Sequence, residues 1–453
     1  MAFTQQHQTK FMIMTWGCQM NEDDSTQMAN LLARAGFSST NDPMDADIVV
    51  LNTCSVREKP EQKVRSRLGE LRLLKQEKPN LIIGVCGCMA QRDGLELRKT
   101  MPFIDLVLGT ANIERLPSLI EDVRSSRGFA SALDLPLRNG KRPSSARHSR
   151  CCCIERIIGD VGLRMFVPVM YGCDNFCTYC IVPRVRGPER SRAASEIVAE
   201  VRELVDKGCR EVTLVGQNVN SYRGESVDTD FTDLLEQLND VEGLQRIRFT
   251  TSHPKDLSDR LIEAIAELPK VCEHLHLPMQ SGDNEILRRM GRGYTAEQYL
   301  DLVDKLRLRV PGISLTTDVM VGFPGETDER FENTVTLVEA IGFNGAFMFA
   351  FNPRPETDAA LMDDQVDGRT KTRRLVELIA VQNEITLRGN EERVGETFEV
   401  LTEGPSQRDA SRLTGYTRGN KTVNFRAHPG LTGELVMVRA SQAHPWGFSG
   451  EIE

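Results

Sequence analysis

Short apolar runs alternate with amphipathic segments through the first part of the chain. Four runs have the length of buried strands, at residues 11–16, 46–53, 81–85 and 104–110. The segments at residues 24–37 and 59–78 carry apolar side chains at helical spacing. Because strands and helices take turns, we expect residues 8–127 to form a Rossmann-like α/β domain with a parallel sheet.

The same alternation returns on a larger scale in residues 151–389. Six further apolar runs are candidate strands, at residues 165–172, 211–218, 246–252, 274–280, 314–322 and 346–352. Helical segments lie between them, and Gly208 is well placed to end the helix predicted at residues 193–208. Six βα units fit either a partial barrel or a second doubly wound sheet, and periodicity alone does not choose between the two.

The last segment, residues 390–453, has no helical pattern. Strand-like runs at residues 397–404, 412–427 and 433–443 are separated by Gly, Pro and Asn, which predicts a small β-barrel. Residues 404–444 contain six Lys/Arg and two acids, so the segment is locally basic. These charges fit a surface that binds an oligonucleotide, but they fit equally well a sheet edge that charge keeps soluble. Residues 128–150 contain Pro, Ser, Gly and basic side chains and are expected to form an exposed linker.

Composition narrows the class of protein. The 453 residues are 40% hydrophobic and 27% charged, as in globular proteins, and the net charge of −9 argues against a uniformly basic nucleic-acid coat protein. No apolar stretch approaches the ~20 residues of a membrane-spanning helix. The N-terminus lacks the apolar core of a secretory signal peptide. We therefore expect a cytoplasmic protein with no membrane association.

The 12 cysteines are too few for a disulfide scaffold and are unevenly spaced. Cys173, Cys177 and Cys180 form a C-x3-C-x2-C pattern directly after a predicted strand. Such a short loop can place three thiolates on three irons of a [4Fe–4S] cluster and leave the fourth iron open for a substrate. Structural zinc is the alternative, but zinc sites usually combine two close ligand pairs, and no second pair accompanies this one.

A second set of cysteines is scattered in sequence but equivalent in position. Cys18, Cys54 and Cys88 each follow a predicted strand of the first domain. The carboxyl ends of parallel strands open onto one crevice, so these thiols are expected to converge and to hold a second cluster. The alternative is three inert, buried cysteines. We expect Cys86 to point into the core and interpret the adjacent residues 151–153 as cysteines without a ligand role.

Several motifs resemble a known family. The C-x3-C-x2-C loop before five further βα units resembles the radical S-adenosylmethionine (SAM) superfamily. GQNVNSY, TTSHP, LPMQSG, GRGYT and DVMVGFPGET resemble its methylthiotransferase branch. GCQMNEDDS, NTCSVREKPEQK and GCMAQR are similar to the N-terminal auxiliary-cluster domain of that branch, and EGPSQRD and TRGNKTVNF to its C-terminal RNA-binding TRAM domain. The resemblance implies a central partial (βα)6 barrel at residues 151–389.

The resemblance also implies an activity. NTCSVRE and GCDNFCTYCIVP are most similar to members that add a methylthio group to C2 of N6-isopentenyl-adenosine beside the tRNA anticodon. Cys173, Cys177 and Cys180 would hold the cluster that binds SAM. Cys18, Cys54 and Cys88 would hold an auxiliary [4Fe–4S] cluster that supplies or carries the sulfur. The implied partners are tRNA, SAM and an electron donor of flavodoxin or ferredoxin type, and we expect a monomer.

Other functions remain open at this point. Within the branch, the substrate could be threonylcarbamoyl-adenosine in tRNA or an aspartate of a ribosomal protein. In a different class, the chain could be a non-catalytic iron–sulfur carrier or electron-transfer protein. The basic C-terminal segment favours RNA over protein only weakly.

Candidate contacts to SAM and RNA follow from position. Four side chains sit at predicted strand ends or in the cysteine loop and are candidates for binding SAM: Tyr179, Gln217, Ser252 and Gln280. Each could instead cap a helix or fill a gap. Five cations of the C-terminal segment are candidates for tRNA phosphate contacts: Arg408, Arg412, Arg418, Lys421 and Arg426.

Two residues depart from the family pattern. Glu356 stands in NPRPET where the family usually has Gly, and Arg184 stands after the cysteine loop where a Tyr is common. If the turn at Glu356 requires a positive φ, the local backbone is expected to differ from that of the relatives.

Overall fold

The computed structural model describes residues 8–55, 58–126, 128–136, 159, 161–226 and 229–453. The cysteines at 151–153 and most of the predicted linker lie outside these ranges. Along the described chain, no helix combines the length and the apolar character needed to span a lipid bilayer.

The N-terminal domain is a parallel sheet of six strands in the order β2-β1-β3-β4-β5-β6, which confirms the predicted fold class. Its strands are β1 (Lys10–Thr15), β2 (Ser38–Ser39), β3 (Ile48–Thr53), β4 (Ile82–Cys86), β5 (Leu106–Leu108) and β6 (Ala130–Ala132). Four of them are the predicted runs, and β2 and β6 are short edge strands that periodicity did not indicate. Because β6 pairs with β5, the sheet extends past residue 127.

Four helices cover this sheet: α1 (Gln19–Arg34), α2 (Glu58–Glu77), α3 (Gly87–Thr100) and α4 (Leu116–Ser126). Every residue of β3 is buried, as expected for a strand with helices on both faces. Successive side chains of β3 enter two separate apolar cores, Val50 on one side and Val49 on the other. The sheet therefore holds its strand ends rigidly.

The central domain is a partial barrel of parallel strands. The chain runs through β7 (Arg164–Pro168), β8 (Met170–Tyr171), β9 (Arg190–Ser191), β10 (Glu211–Val215), β11 (Arg246–Phe249), β12 (His274–His276), β13 (Ser314–Val321) and β14 (Gly345–Ala350). Two three-stranded sheets, β7-β10-β11 and β12-β13-β14, meet at a parallel bridge between Ile247 and Val271. The described residues show no pairing between β7 and β14, so the barrel is open there. This resolves the choice that periodicity left open.

Eight helices accompany the barrel: α5 (Val182–Val185), α6 (Ala194–Asp206), α7 (Phe231–Asn239), α8 (Asp259–Glu267), α9 (Asn284–Met290), α10 (Ala296–Arg309), α11 (Asp328–Ile341) and α12 (Gly368–Glu391). Gly208 follows α6 with a φ of +106°, which confirms its predicted role at that helix end. Val212 and Leu214 of β10 pack in the core with the helices. Since side chains alternate along a strand, Glu211 and Thr213 face the barrel interior.

The C-terminal domain is a closed five-stranded barrel, as predicted. Its strands are β15 (Thr397–Pro405), β16 (Leu413–Thr417), β17 (Thr422–Phe425), β18 (Leu435–His444) and β19 (Gly447–Ile452). Phe398 and Phe448 stack in its core with ring centroids 5.0 Å apart. We call this domain the small barrel.

The small barrel docks on the amino ends of the central strands. Arg246 Nη1 donates to the Tyr416 carbonyl at 2.7 Å, and Arg248 Nη2 donates to the Thr417 carbonyl at 2.7 Å. Beneath them the fully buried Glu211 carboxylate lies 2.8 Å from Arg164 Nε and 2.9 Å from Arg248 Nε. The guanidinium groups hold the pKa of Glu211 below its usual value, although burial alone would raise it.

The N-terminal domain covers the opposite end, where the central strands finish. Asp24 of α1 pairs with Arg186, which follows α5, at 2.8 Å. Glu61 of α2 pairs with Arg354, which follows β14, at 3.2 Å. Thr110 Oγ1 donates to the Val185 carbonyl at 2.6 Å. The carboxyl ends of the parallel strands in the N-terminal domain and in the central domain therefore face one shared interface.

Candidate functional site

The C-x3-C-x2-C loop begins where β8 ends. Gly172 has a φ of +77°, and a Cβ there would lie 2.1 Å from the Pro188 carbonyl oxygen, so only glycine fits. Cys173 N donates to the Gly187 carbonyl at 3.2 Å, and Cys180 N donates to the Cys177 carbonyl at 2.9 Å. These bonds curl the loop against the returning chain.

The three thiols of this loop lie close together and largely out of water. Cys173 is 8% exposed and Cys177 9%. Burial raises the pKa of Cys173 to about 11 and that of Cys180 to about 12, and the neighbouring Cys177 contributes to both shifts. Without a cation Cys173 and Cys180 are therefore protonated at neutral pH, and a metal centre would supply the positive charge that converts them to thiolates.

A buried arginine that the cysteine pattern did not predict touches this set. Arg292 is 5% exposed, and its Nη1 lies 3.5 Å from Cys177 Sγ. Its Nη2 donates to the Pro278 carbonyl at 3.1 Å, and its Nε donates to Tyr294 Oη at 3.1 Å. The GRGYT motif contains Arg292, but its distance of 115 residues from Cys177 hid the contact.

The second cysteine set also gathers in one place. Cys18 precedes α1, Cys54 directly follows β3, and Cys88 is the second residue of α3, after β4. Cys54 and Cys88 are buried, whereas Cys18 is exposed. Burial raises the pKa of Cys88 to about 12; Arg186 opposes this shift, and Cys54 and Cys18 add to it. Cys86 packs in the apolar core on one face of the sheet, as predicted.

Buried polar groups tie the three loops of this set together. Asn21 Nδ2 donates to the Thr53 carbonyl at 3.1 Å, and Asn52 Nδ2 donates to the Asn21 carbonyl at 2.8 Å. Gly87 lies between the two loops with a φ of +88°, and a Cβ there would meet Thr53 O at 2.4 Å. The spacing of Cys54 and Cys88 thus depends on a glycine and a pair of buried amides.

The two sets lie on either side of the domain interface. Ile181 and Val185 follow the C-x3-C-x2-C loop and pack with Cys88 in a small apolar cluster. The buried Arg186 Nη2 reaches Asp24 Oδ2 at 2.8 Å and Asn21 Oδ1 at 3.4 Å. The same Asn21 oxygen accepts from Cys18 Sγ at 3.4 Å.

Among the residues that the structure describes, no three His, Cys, Asp or Glu side chains form a group that could hold one metal ion. Thiolates that bind a single zinc ion each place their sulfur about 2.3 Å from that ion. A [4Fe–4S] cluster places each thiolate on a different iron, so its three ligands need not meet at a point. Each side offers three thiols, two of them buried, and such a donor set suits a cluster of this kind.

The four SAM candidates differ in their surroundings. Tyr179 packs beside Ile286 and Met290. The Gln217 Oε1 atom accepts from Gly172 N at 2.5 Å, so this side chain fixes the loop. Gln280 has a φ of +67° and is 8% exposed. Ser252 is 4% exposed, and its Oγ has no hydrogen-bond partner within the described part of the chain.

The five RNA candidates of the small barrel separate into two groups. Arg408 and Arg426 are exposed, and Arg412 lies 3.4 Å from Asp409. In contrast, Arg418 pairs with Glu273 of the central domain at 2.7 Å, and Lys421 is 8% exposed with its Nζ donating to the Asn344 carbonyl. These last two cations hold the small barrel against the central domain, although the Arg418 side chain remains 23% exposed and only the Lys421 side chain is buried among the five.

The two departures from the family pattern contact each other. Glu356 has a φ of +69°, so the turn keeps the left-handed backbone that glycine adopts freely. Its Oε2 lies 3.2 Å from Arg184 Nη1. The turn thus adopts a positive φ with a non-glycine residue, and its carboxylate pairs with the unusual arginine.

Comparisons with family models match all three domains. The radical SAM superfamily model matches residues 167–338, the model of the uncharacterized protein family UPF0004 matches residues 10–109, and the TRAM domain model matches residues 391–452. Together with the partial barrel, these matches define a radical SAM enzyme, which uses SAM and [4Fe–4S] clusters.

Full-length relatives narrow this class. A protein of Moorella thermoacetica named tRNA-2-methylthio-N(6)-dimethylallyladenosine synthase is 47% identical over 98% of both chains. Proteins of the same name from Pelotomaculum thermopropionicum and Clostridium perfringens are 47% and 44% identical over 96% and 98% of this chain, and 95% and 97% of their own. The chain belongs to the tRNA-2-methylthio-N(6)-dimethylallyladenosine synthase family.

Solved structures support the fold alone. The radical SAM methyltransferase TsrM from Kitasatospora setae superposes with a TM-score of 0.54 at 16% identity, over 78% of this chain and 74% of its own. The cobalamin-dependent SAM radical enzyme OxsB gives a TM-score of 0.51 at 12% identity, over 82% of this chain and 56% of its own.

Proposed function

We propose that this chain adds a methylthio group to C2 of N6-isopentenyl-adenosine next to the anticodon of tRNA. The observation that carries the proposal is 47% identity over nearly the whole length of a relative named for this product. The convergence of two cysteine sets at one interface supports it, because such chemistry needs both a radical source and a sulfur source.

The donor sets suit two clusters. We assign Cys173, Cys177 and Cys180 to the cluster that binds SAM, and Cys18, Cys54 and Cys88 to the auxiliary cluster. When bound, the clusters and SAM supply a 5′-deoxyadenosyl radical and the sulfur, which no acid or base side chain could replace at an unactivated aromatic C–H. The chain brings the two sets to one interface, where Ile181 and Val185 pack with Cys88 and keep water away from that thiol.

Ser252 is our first choice among the SAM-binding candidates. A buried hydroxyl without a partner costs free energy unless something bonds to it, and a polar group of SAM would serve. Gln217 acts indirectly, because it bonds to Gly172 and so orients the loop that carries Cys173. Tyr179 and Gln280 remain candidates on position alone.

The remaining partners follow from the chemistry. The exposed Arg408 and Arg426 are our candidates for tRNA phosphate contacts. We further propose that a flavodoxin- or ferredoxin-type protein delivers the electron, and that the chain works as a monomer in the cytoplasm.

Nucleoside mass spectrometry of tRNA from cells lacking this gene tests the substrate. We expect the methylthio-isopentenyl-adenosine peak to disappear and its precursor without the methylthio group to accumulate. Loss of a methylthiolated threonylcarbamoyl-adenosine instead would move the assignment to that nucleoside. An unchanged nucleoside profile would refute a role in tRNA methylthiolation.

Cysteine variants test the division of roles. Both Cys173→Ala and Cys88→Ala should abolish product, but only Cys173→Ala should stop SAM cleavage. Cys272→Ala, at a buried cysteine beside Arg248 at the small-barrel end of the central domain, is the matched control and should retain both activities. If Cys88→Ala stops SAM cleavage while the first cluster stays loaded, the assignment of roles is wrong.

A further inference from the structure

Each cysteine set has one buried guanidinium group beside it. Arg292 is 5% exposed and Arg186 is 4% exposed. Removing a guanidinium from water is costly unless hydrogen bonds or an opposite charge compensate it. The two arginines are compensated in different ways, and this difference bears on the metal clusters.

Arg292 keeps its full charge next to sulfur. Its hydrogen-bond partners are the Pro278 carbonyl, the Tyr294 hydroxyl and Cys177 Sγ, the last at 3.5 Å. Over the described ranges of the chain, no carboxylate pairs with it. The negative charge that would balance Arg292 is therefore that of the cysteine thiolates and whatever they hold.

Arg186 is balanced by a carboxylate. Its Nη2 lies 2.8 Å from Asp24 Oδ2, and both side chains are 5% exposed. Asn21 links it to Cys18, since the Asn21 Oδ1 atom is 3.4 Å from Arg186 Nη2 and 3.4 Å from Cys18 Sγ. The auxiliary site therefore has a buried ion pair where the other site has an uncompensated cation.

We propose that Arg292 and Asp24 set the reduction potentials of the two clusters apart. The proposal rests on the ligand assignment made above. A cluster potential depends on the local charge and on hydrogen bonds to its sulfurs, and a cation stabilises the reduced, more negative form. Arg292 thus raises the potential at the Cys173 set, whereas Asp24 cancels most of the corresponding effect of Arg186.

The arrangement has a use in the proposed reaction. The site that binds SAM must accept one electron from the donor protein, whereas the auxiliary site is proposed to supply the sulfur. Arg292 and Asp24, which differ in sign and lie on opposite sides of the interface, favour reduction at the SAM site. Both are positioning residues for charge and neither needs to touch a substrate.

Redox titration followed by electron paramagnetic resonance tests the proposal. Each cluster is measured in the full-length chain, reconstituted anaerobically, with all three cysteines of the other set replaced by alanine. Arg292→Gln should shift the midpoint of the SAM-site cluster to a more negative potential, and Arg292→Lys should shift it less. Asp24→Asn should shift the auxiliary midpoint to a more positive potential. Arg288→Gln, an exposed arginine paired with Glu285, is the control and should shift neither.

Each outcome decides the matter. A midpoint that Arg292→Gln or Asp24→Asn leaves unchanged at its own cluster, in protein with a full iron content, would overturn the proposal. Loss of iron from both the Gln and the Lys variants would show that Arg292 only holds the loop, and would overturn it too. The tRNA nucleoside profile tests the proposed function without a redox titration. Failure of that function can therefore be distinguished from failure of this proposal.

Discussion

Replacing Gly87 with alanine is the sharpest test of how the auxiliary site is built. Gly87 separates Cys86, which is in the core, from Cys88, which is in the site. Its φ is +88°, and an added Cβ would lie 2.4 Å from Thr53 O and 2.5 Å from Asn52 Oδ1. Thr53 immediately precedes Cys54, so any movement that relieves the clash also moves Cys54 relative to Cys88.

The expected destabilisation can be worked out from this geometry. A left-handed backbone costs a non-glycine residue about 1–2 kcal/mol. Increasing the contact from 2.4 Å to 3.0 Å requires a displacement of 0.6 Å in a fully buried part of the sheet, and overpacking of this kind costs about 1–3 kcal/mol. We therefore expect Gly87→Ala to lower the free energy of unfolding by about 2–5 kcal/mol.

Urea denaturation under anaerobic conditions measures the stability, and iron analysis measures the site. We expect about four irons per chain instead of about eight, because the Cys173 set does not depend on Gly87. Gly69→Ala is the matched control in the same domain: Gly69 is exposed within α2, and an added Cβ would meet nothing within 4 Å. It should raise the stability by about 0.5–1 kcal/mol.

Two results would refute this reasoning. One is a Gly87→Ala protein with full iron content and a stability within the error of the parent. The other is equal loss of iron from both cysteine sets, which would mean that the variant unfolds generally and that Gly87 has no local role at the auxiliary site.

Three further predictions concern charge and backbone strain. Glu211→Gln should destabilise the protein by about 3–5 kcal/mol, since it leaves buried guanidinium groups without a counter-charge. Because the folded-state pKa of Glu211 is lowered, its stabilising effect is present above its ordinary pKa of 4.5 and is lost as the pH falls below it; denaturation at several pH values should show a shallower acid slope in the variant. Arg426→Ala should reduce the salt dependence of tRNA binding by about one unit of log–log slope, and Lys421→Met should leave that slope unchanged; equal effects would place Lys421 on the RNA surface after all. Glu356→Gly should stabilise the protein by about 1–2 kcal/mol in denaturation experiments, whereas Glu356→Ala, which keeps the strained φ, should not; equal stabilities would rule out strain at that turn.

Much of this architecture could be predicted from local patterns. The strands that precede Cys18, Cys54 and Cys88 are apolar runs of ordinary length, and a parallel sheet brings their carboxyl ends together whatever the loops contain. The small barrel followed in the same way from its Gly- and Asn-separated strands. The edge strands β2 and β6, two and three residues long, were too short for periodicity to indicate, and β6 lies within the predicted linker.

Contacts between distant residues were beyond such patterns. Arg292 and Cys177 lie 115 residues apart, and no periodicity connects them. The sequence shows that the small barrel is locally basic, but composition does not indicate which way each side chain faces. Lys421 is buried at the interface, whereas Arg426 is exposed. Arg184 and Glu356, the two residues that differ from the family pattern, could not be recognised as an ion pair from the sequence. Their contact depends on the turn after β14 lying beside α5.

Because the small barrel is attached at the amino ends of the central strands, the length of those strands separates it from the cysteine sets at their carboxyl ends. Strand β13 has eight residues, which at about 3.3 Å each and a tilt of about 36° raise the cysteine end roughly 20 Å above the attachment surface. A nucleic acid that touches both the cysteine end and Arg426 must bridge at least this height. A free nucleoside is far too small to do so, and the contact proposed for Arg426 therefore requires a nucleic acid that extends well beyond the modified nucleoside.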